Sequence, residues 1–78
     1  PSFLFENVLV TSTKMFGKNK EHLECSVEDA SGKAVAFTFF VDEEMSSKIQ
    51  VGERLSFVGT LEAGWRGGVR VRIQSLTK

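Results

Sequence analysis

The chain has 78 residues, and its ten basic residues balance ten acidic ones, so its formal net charge is zero. This length allows one domain with a small core, which we expect to cover residues 1–78. The charge balance excludes a binder that holds nucleic acid by net charge alone. Cys25 is the only cysteine, so an internal disulfide is excluded and a reducing, cytoplasmic location is predicted.

Five segments have the alternation of apolar and polar residues that is typical of strands. They cover residues 3–14, 22–28, 34–41, 53–62 and 68–76. In the third segment we expect the large apolar residues Val35, Phe37 and Phe39 to point inward, and Ala36 and Thr38 to point outward. In the fourth, Gly59 falls on the inward phase and predicts a bend or bulge.

Residues 42–50 have the pattern of a short helix of one or two turns. Asp42 is suited to cap it, Met45 and Ile49 lie at helical spacing, and Gly52 is placed to end it. Three strands, a helix and two strands are the element order of the OB-fold, a five-stranded Greek-key barrel. An all-β OB-fold is therefore predicted. An SH3-like barrel, the main rival, lacks a helix at this place.

Several short motifs resemble the OB domain of RecJ-type exonucleases, which belong to the DHH phosphoesterase family. They are Phe16-Gly17-Lys18, Glu21-His22-Leu23, Ala34-Val35-Ala36-Phe37, Val51-Gly52, Trp65-Arg66-Gly67 and Val71-Arg72-Ile73. The resemblance covers most of the chain. The sequence departs from the family in two places. Ala63-Gly64 precede Trp65 where an asparagine is usual, and the fifth strand is more basic.

The resemblance implies a domain that grips single-stranded DNA beside a catalytic core which degrades it from the 5′ end, in DNA repair and recombination. Divalent metal ions would belong to that core, and this domain would need no cofactor or metal of its own. Because the chain opens with Pro1 and not with methionine, we expect a module of a longer protein. We also expect a monomer. A free-standing OB protein, or another OB-bearing nucleic-acid enzyme, stays open, and so does RNA in place of DNA.

An OB-fold binds strands across its second and third strands and the loops that flank them. Rings stack on bases there, and cations neutralise phosphates. The predicted nucleic-acid-binding residues are Lys14, Phe16, Lys18, Lys20, His22, Thr38, Phe40, Trp65, Arg66, Arg70 and Arg72. We expect the lysine-bearing first connection and the tryptophan tip to lie on the same side of the barrel. Substitution of Arg70 or Lys18 should then make binding less steep in salt.

Structural roles compete with these assignments. Trp65 and Phe16 could equally seal the barrel, and for Phe40 the pattern favours packing under the helix over stacking. Arg70 and Arg72 could pair with glutamates on a neighbouring strand, and Glu24 counts against a phosphate site. No nucleophile accompanies the single histidine, His22, so no catalytic residue is predicted.

The competing class of function is a protein-interaction or architectural module, which zero net charge favours. Its partner would be another domain of the parent chain or another subunit. No membrane association is expected, because no apolar run approaches the ~20 residues that cross a bilayer.

Overall fold

The computed structural model describes residues 1–64 and 68–77. The elements are β1 (Ser2–Phe16), β2 (His22–Asp29), β3 (Gly32–Thr38), α1 (Glu43–Lys48), β4 (Arg54–Ala63) and β5 (Val69–Leu76). The strands form a closed barrel in the order β1-β2-β3-β5-β4. Only β3 and β5 run parallel to each other; the other neighbours are antiparallel. The predicted OB-fold is confirmed.

Strand β1 closes the barrel by pairing with two neighbours. Its first half pairs with β4 and its second half with β2, and both ladders shift register, between Phe5 and Val8 and between Val10 and Ser12. Bulges of this kind bend a strand and increase its twist. One continuous strand can therefore pass from one wall of the barrel to the next and leave no long open edge.

The core lies inside the barrel and follows the alternation of the strands. Its buried residues are Val8, Val10, Leu23, Cys25, Val27, Ala36, Ile49, Leu55, Phe57, Val71 and Ile73. The alternation predicts inward residues on three strands, and most of them are buried: Leu23, Cys25 and Val27 of β2, Leu55 and Phe57 of β4, and Val71 and Ile73 of β5. The same prediction is wrong for Leu61 of β4 and Val69 of β5, which are exposed. Burial raises the pKa of the Cys25 thiol to about 11, with a smaller contribution from the neighbouring Glu24 carboxylate.

The short helix packs against the barrel core. Asp42 caps it as predicted, because its Oδ1 accepts a hydrogen bond of 2.8 Å from the Met45 backbone N–H. Met45 packs against the core, and Ile49, which caps the C-terminus, is buried in it. The helix ends at Lys48, before the predicted end at residue 50.

Gly59 lies at the register shift between β4 and β5, as predicted. A Cβ atom there would lie 2.6 Å from Val71 Cγ1 and 2.8 Å from the backbone oxygen of Arg72. Only glycine lets the two strands approach this closely at the bulge.

The inward phase predicted for the third strand is wrong. Ala36 and Thr38 are buried, whereas Phe37 and Phe39 lie on the outer side of the sheet, where they contact arginines of β5. The barrel interior is already filled by large side chains such as Phe57, so β3 turns its small residues inward. The strand also stops at Thr38 instead of Val41, and Phe40 adopts a left-handed backbone conformation with φ +50°.

Candidate nucleic-acid interface

The outer surface of β2, β3 and β5 carries rings and charges in register. We call it the aromatic–arginine face and define it by its residues, which are His22, Glu24, Phe37, Phe39, Phe40, Arg70 and Arg72; Phe39 and Phe40 directly follow β3. Across the sheet, Glu24 pairs with Phe37, and Phe37 pairs with Arg72. The sequence pattern does not reveal Phe37 and Phe39 as outer residues, because both phases of the third strand are apolar and the larger side chains are expected in a core.

Both arginines lie over phenylalanine rings. The guanidinium carbon of Arg70 is 4.6 Å from the centroid of the Phe37 ring, and that of Arg72 is 5.0 Å from the centroid of Phe39. These distances fall within the range of cation–π attraction. Phe37 is only 1% exposed although it stands outside the core cluster. Arg70 therefore acts as the cover of that ring.

Each arginine also contacts a glutamate on an adjacent or nearby strand. Arg70 Nη1 lies 3.5 Å from Glu24 Oε1, and Arg72 Nη1 lies 3.7 Å from Glu62 Oε2. Partly exposed pairs of this length contribute roughly 0–1 kcal/mol to stability, so their main effect is on orientation and local charge. Both arginines therefore pair with glutamates, as the alternative structural role predicts.

His22 joins the face to the residues that follow β3. Its Nδ1 accepts a 3.0 Å hydrogen bond from the Phe40 backbone N–H, and its Nε2 lies 3.0 Å from Glu21 Oε1. These partners favour the neutral tautomer with the proton on Nε2, which donates to the carboxylate. The Val41 N–H donates to the Glu21 backbone oxygen at 2.9 Å. Residues 40 and 41 are therefore attached to the start of β2.

Phe40 presents its ring to solvent. It is 77% exposed, and its ring meets the His22 imidazole edge-on at 4.7 Å between centroids. The favoured sequence interpretation, packing under the helix, is therefore wrong. Phe39, at 40% exposure, contacts Phe16, His22 and Phe37 edge-on. These rings form a continuous aromatic surface beside the loop that joins β1 to β2.

That loop, residues 17–21, carries the predicted lysines. Lys18 and Lys20 are exposed on it, and Lys14 is exposed on β1 opposite Glu24. Gly17 has φ +99°, and a side chain there would collide with the Glu21 carboxylate and the His22 ring. The glycine is required because the loop folds back on the start of β2.

Thr38 does not belong to this surface. It is buried on the same phase of β3 as Ala36, so its predicted contact with a ligand is wrong in this structure. Phe16, His22, Phe40, Arg70 and Arg72 do come together. Trp65 and Arg66 lie outside the described residues.

The two connections expected on one side of the barrel do not leave it at the same end. Leu23, at the start of β2, pairs with Thr38 at the end of β3. Val69, next to the β4–β5 connection, comes two residues before Val71, which pairs with Ala36 in mid-strand. The described ends of that connection are thus displaced by about four residues, roughly 13 Å, along β3. The described ends of the two connections therefore lie toward opposite ends of β3.

Comparison with known families decides the identity of the fold. The model of the RecJ OB domain matches residues 1–76. The chain belongs to this family. The resemblance in the sequence motifs is confirmed, and a RecJ OB domain is a non-catalytic accessory domain and a nucleic-acid-binding module. No curated protein matches the chain significantly.

Two further observations concern metals and membranes. Within residues 1–64 and 68–77, no three histidine, cysteine, aspartate or glutamate side chains come together as metal ligands. The absence of a cofactor in this RecJ OB domain stays a prediction. In the same parts of the chain, no helix has the length and apolar character needed to cross a bilayer. The cytoplasmic location also stays a prediction.

Proposed function

We propose that this RecJ OB domain binds single-stranded DNA with little sequence preference on its aromatic–arginine face. In a full-length RecJ-like 5′–3′ exonuclease it would grip the strand beside the catalytic core. The observation that carries the proposal is the pair of exposed rings, Phe39 and Phe40, next to a loop with Lys18 and Lys20. Ring faces for bases and cations for the backbone are what sequence-tolerant single-strand binding requires.

Exposure and charge indicate which residues would bind bases and which would bind phosphates. Phe40 has the freest ring and would stack on one base, at roughly 1–3 kcal/mol per base. Lys14, Lys18 and Lys20 have no carboxylate partner within salt-bridge distance among the described residues, so they are suited to phosphates. With few phosphate contacts and no net charge, affinity in the micromolar range at low salt is expected.

A titration with oligothymidylate at low salt tests the proposal. We expect the amide resonances of residues 16–22, 37–41 and 70–72 to shift, together with the fluorescence of Trp65, the only tryptophan. Lys18→Gln should weaken binding and reduce its salt dependence, whereas Lys48→Gln, in the helix, serves as the matched control and should do neither. If neither resonances nor fluorescence respond, the proposal is wrong.

Docking of a second protein domain is the other candidate. It is favoured by the pairing of both arginines with glutamates, which leaves the centre of the face without net charge, and by the exposed ring of Phe40. A shift of the same resonances on addition of the catalytic core, with no response to oligonucleotide, would identify this function instead.

A further inference from the structure

Two arginines of β5 have surroundings that do not suit phosphate clamps. Arg70 lies over Phe37 and Arg72 over Phe39, and each contacts a carboxylate. A phosphate that approaches either guanidinium would have to displace a glutamate carboxylate, which is negatively charged like the phosphate. The neighbouring carboxylate therefore lowers the electrostatic gain that a phosphate would find at either guanidinium.

The donor geometry of Arg70 leads to the same conclusion. Its Nε atom is buried and has no hydrogen-bond partner among the described residues. A guanidinium recognises a phosphate best with two parallel N–H donors. With Nε turned into the protein and one Nη directed at Glu24, the side-on pair of donors is not presented to solvent.

Both arginines are partly exposed and have the guanidinium over a ring. The side chain of Arg70 is 33% exposed and that of Arg72 is 49% exposed. Guanidinium groups are flat and weakly hydrated, and unpaired bases stack on them as they do on aromatic rings. The glutamates hold the groups in place over Phe37 and Phe39, which lowers the entropy lost on stacking.

We propose that Arg70 and Arg72 bind nucleobases by stacking and that the phosphates are left to the loop lysines. This inference rests on the proposed function and deepens it, because it assigns the ligand chemistry of each cation. Phe40 and the two arginines then form a row of stacking surfaces along β3 and β5. It also explains how a domain with zero net charge could hold a polyanion.

Arginine-to-lysine substitution tests this assignment, because lysine keeps the charge and loses the planar surface. Arg72→Lys is the lead variant, since Arg72 is the more exposed of the two; Arg70→Lys is the second. We expect either variant to bind oligothymidylate roughly 5- to 150-fold more weakly, which corresponds to the loss of about one stacked base. The slope of log affinity against log salt should not change.

An abasic strand of equal length supplies the matched ligand control, because it keeps the phosphates and lacks the bases. On it, Arg72→Lys and the wild type should bind equally, while Lys18→Gln should lower the slope by roughly 0.7, as for one lost phosphate contact on a single strand. Thermal unfolding of each variant separates a binding effect from misfolding.

Each outcome decides the matter. Wild-type affinity in both arginine-to-lysine variants, or an equal loss on abasic and base-bearing strands, would overturn the assignment and make the arginines bystanders or phosphate ligands. If the wild-type domain binds no oligonucleotide, the proposed function itself fails. If it binds through residues 16–22 and 37–41 with no dependence on the arginine plane, only the present inference fails.

Discussion

Phe40→Gly separates function from stability at the most exposed ring of the face. Phe40 has φ +50°, a conformation that costs a non-glycine residue roughly 1–2 kcal/mol, so glycine would relieve this strain. Against that gain stand the greater entropy of glycine in the unfolded chain, about 0.4–1 kcal/mol, and the loss of a ring with 77% exposure. Burial of the remaining quarter of the phenylalanine surface stabilises the folded state by roughly 1 kcal/mol, which the glycine variant loses.

The opposing contributions to the stability of the variant nearly cancel. We expect the free energy of unfolding of Phe40→Gly to stay within about 1 kcal/mol of the wild type. Affinity for oligothymidylate should fall roughly 5- to 150-fold, because one stacking surface is lost. Strain that does not serve stability is commonly kept for function.

Urea unfolding and fluorescence-anisotropy titration measure the two quantities. Phe3→Ala is the matched control, since Phe3 is a phenylalanine of β1 with 44% exposure outside the aromatic–arginine face; it should leave affinity unchanged. A variant Phe40→Gly that loses more than about 2 kcal/mol of stability while it keeps its affinity would refute the reasoning and make the ring structural.

Two further predictions concern the barrel itself. Gly59→Ala should lower Tm by at least about 5 °C, because the new methyl group would meet Val71 and the Arg72 backbone oxygen; an unchanged Tm in calorimetry would contradict this packing. Because the pKa of Cys25 is raised in the folded state to about 11 from an ordinary value of 9.0, the thiol deprotonates more readily in the unfolded chain. Below pH 9 the thiol is protonated in both states and the free energy of unfolding is unaffected. Between pH 9 and 11 the thiol loses its proton only in the unfolded chain, which lowers the free energy of unfolding by roughly 2–3 kcal/mol. Urea unfolding across this range should show that loss in the wild type and not in Cys25→Ala. If the free energy of unfolding changes with pH in the same way in both proteins, the raised pKa of Cys25 is contradicted.

The alternation of β2 and β5 was readable because apolar and polar residues differ sharply at successive positions. Leu23, Cys25 and Val27 alternate with charged or polar residues, and their burial follows directly. The cap at Asp42 was equally readable, since its chemistry is local to one turn. The element order then sufficed to predict the OB-fold.

The third strand could not be read in the same way. Ala34 to Phe39 is apolar on both phases apart from Thr38, so alternation gives no preference. Which phase faces inward depends on the space that Phe57 and the other core residues leave, and on Arg70 of β5 being able to cover Phe37. Both conditions join residues that are far apart in the chain.

The sequence alone determined the elements, their order and thereby the barrel, because periodicity, caps and turns act over a few residues. It also supplied the lysines of the first connection and the arginines of the last strand. Only the tertiary structure decided which rings face solvent, that β3 ends at Thr38, and that each arginine contacts both a ring and a carboxylate. Those features depend on contacts between β2, β3, β4 and β5, which form only when the barrel closes and brings distant residues into register.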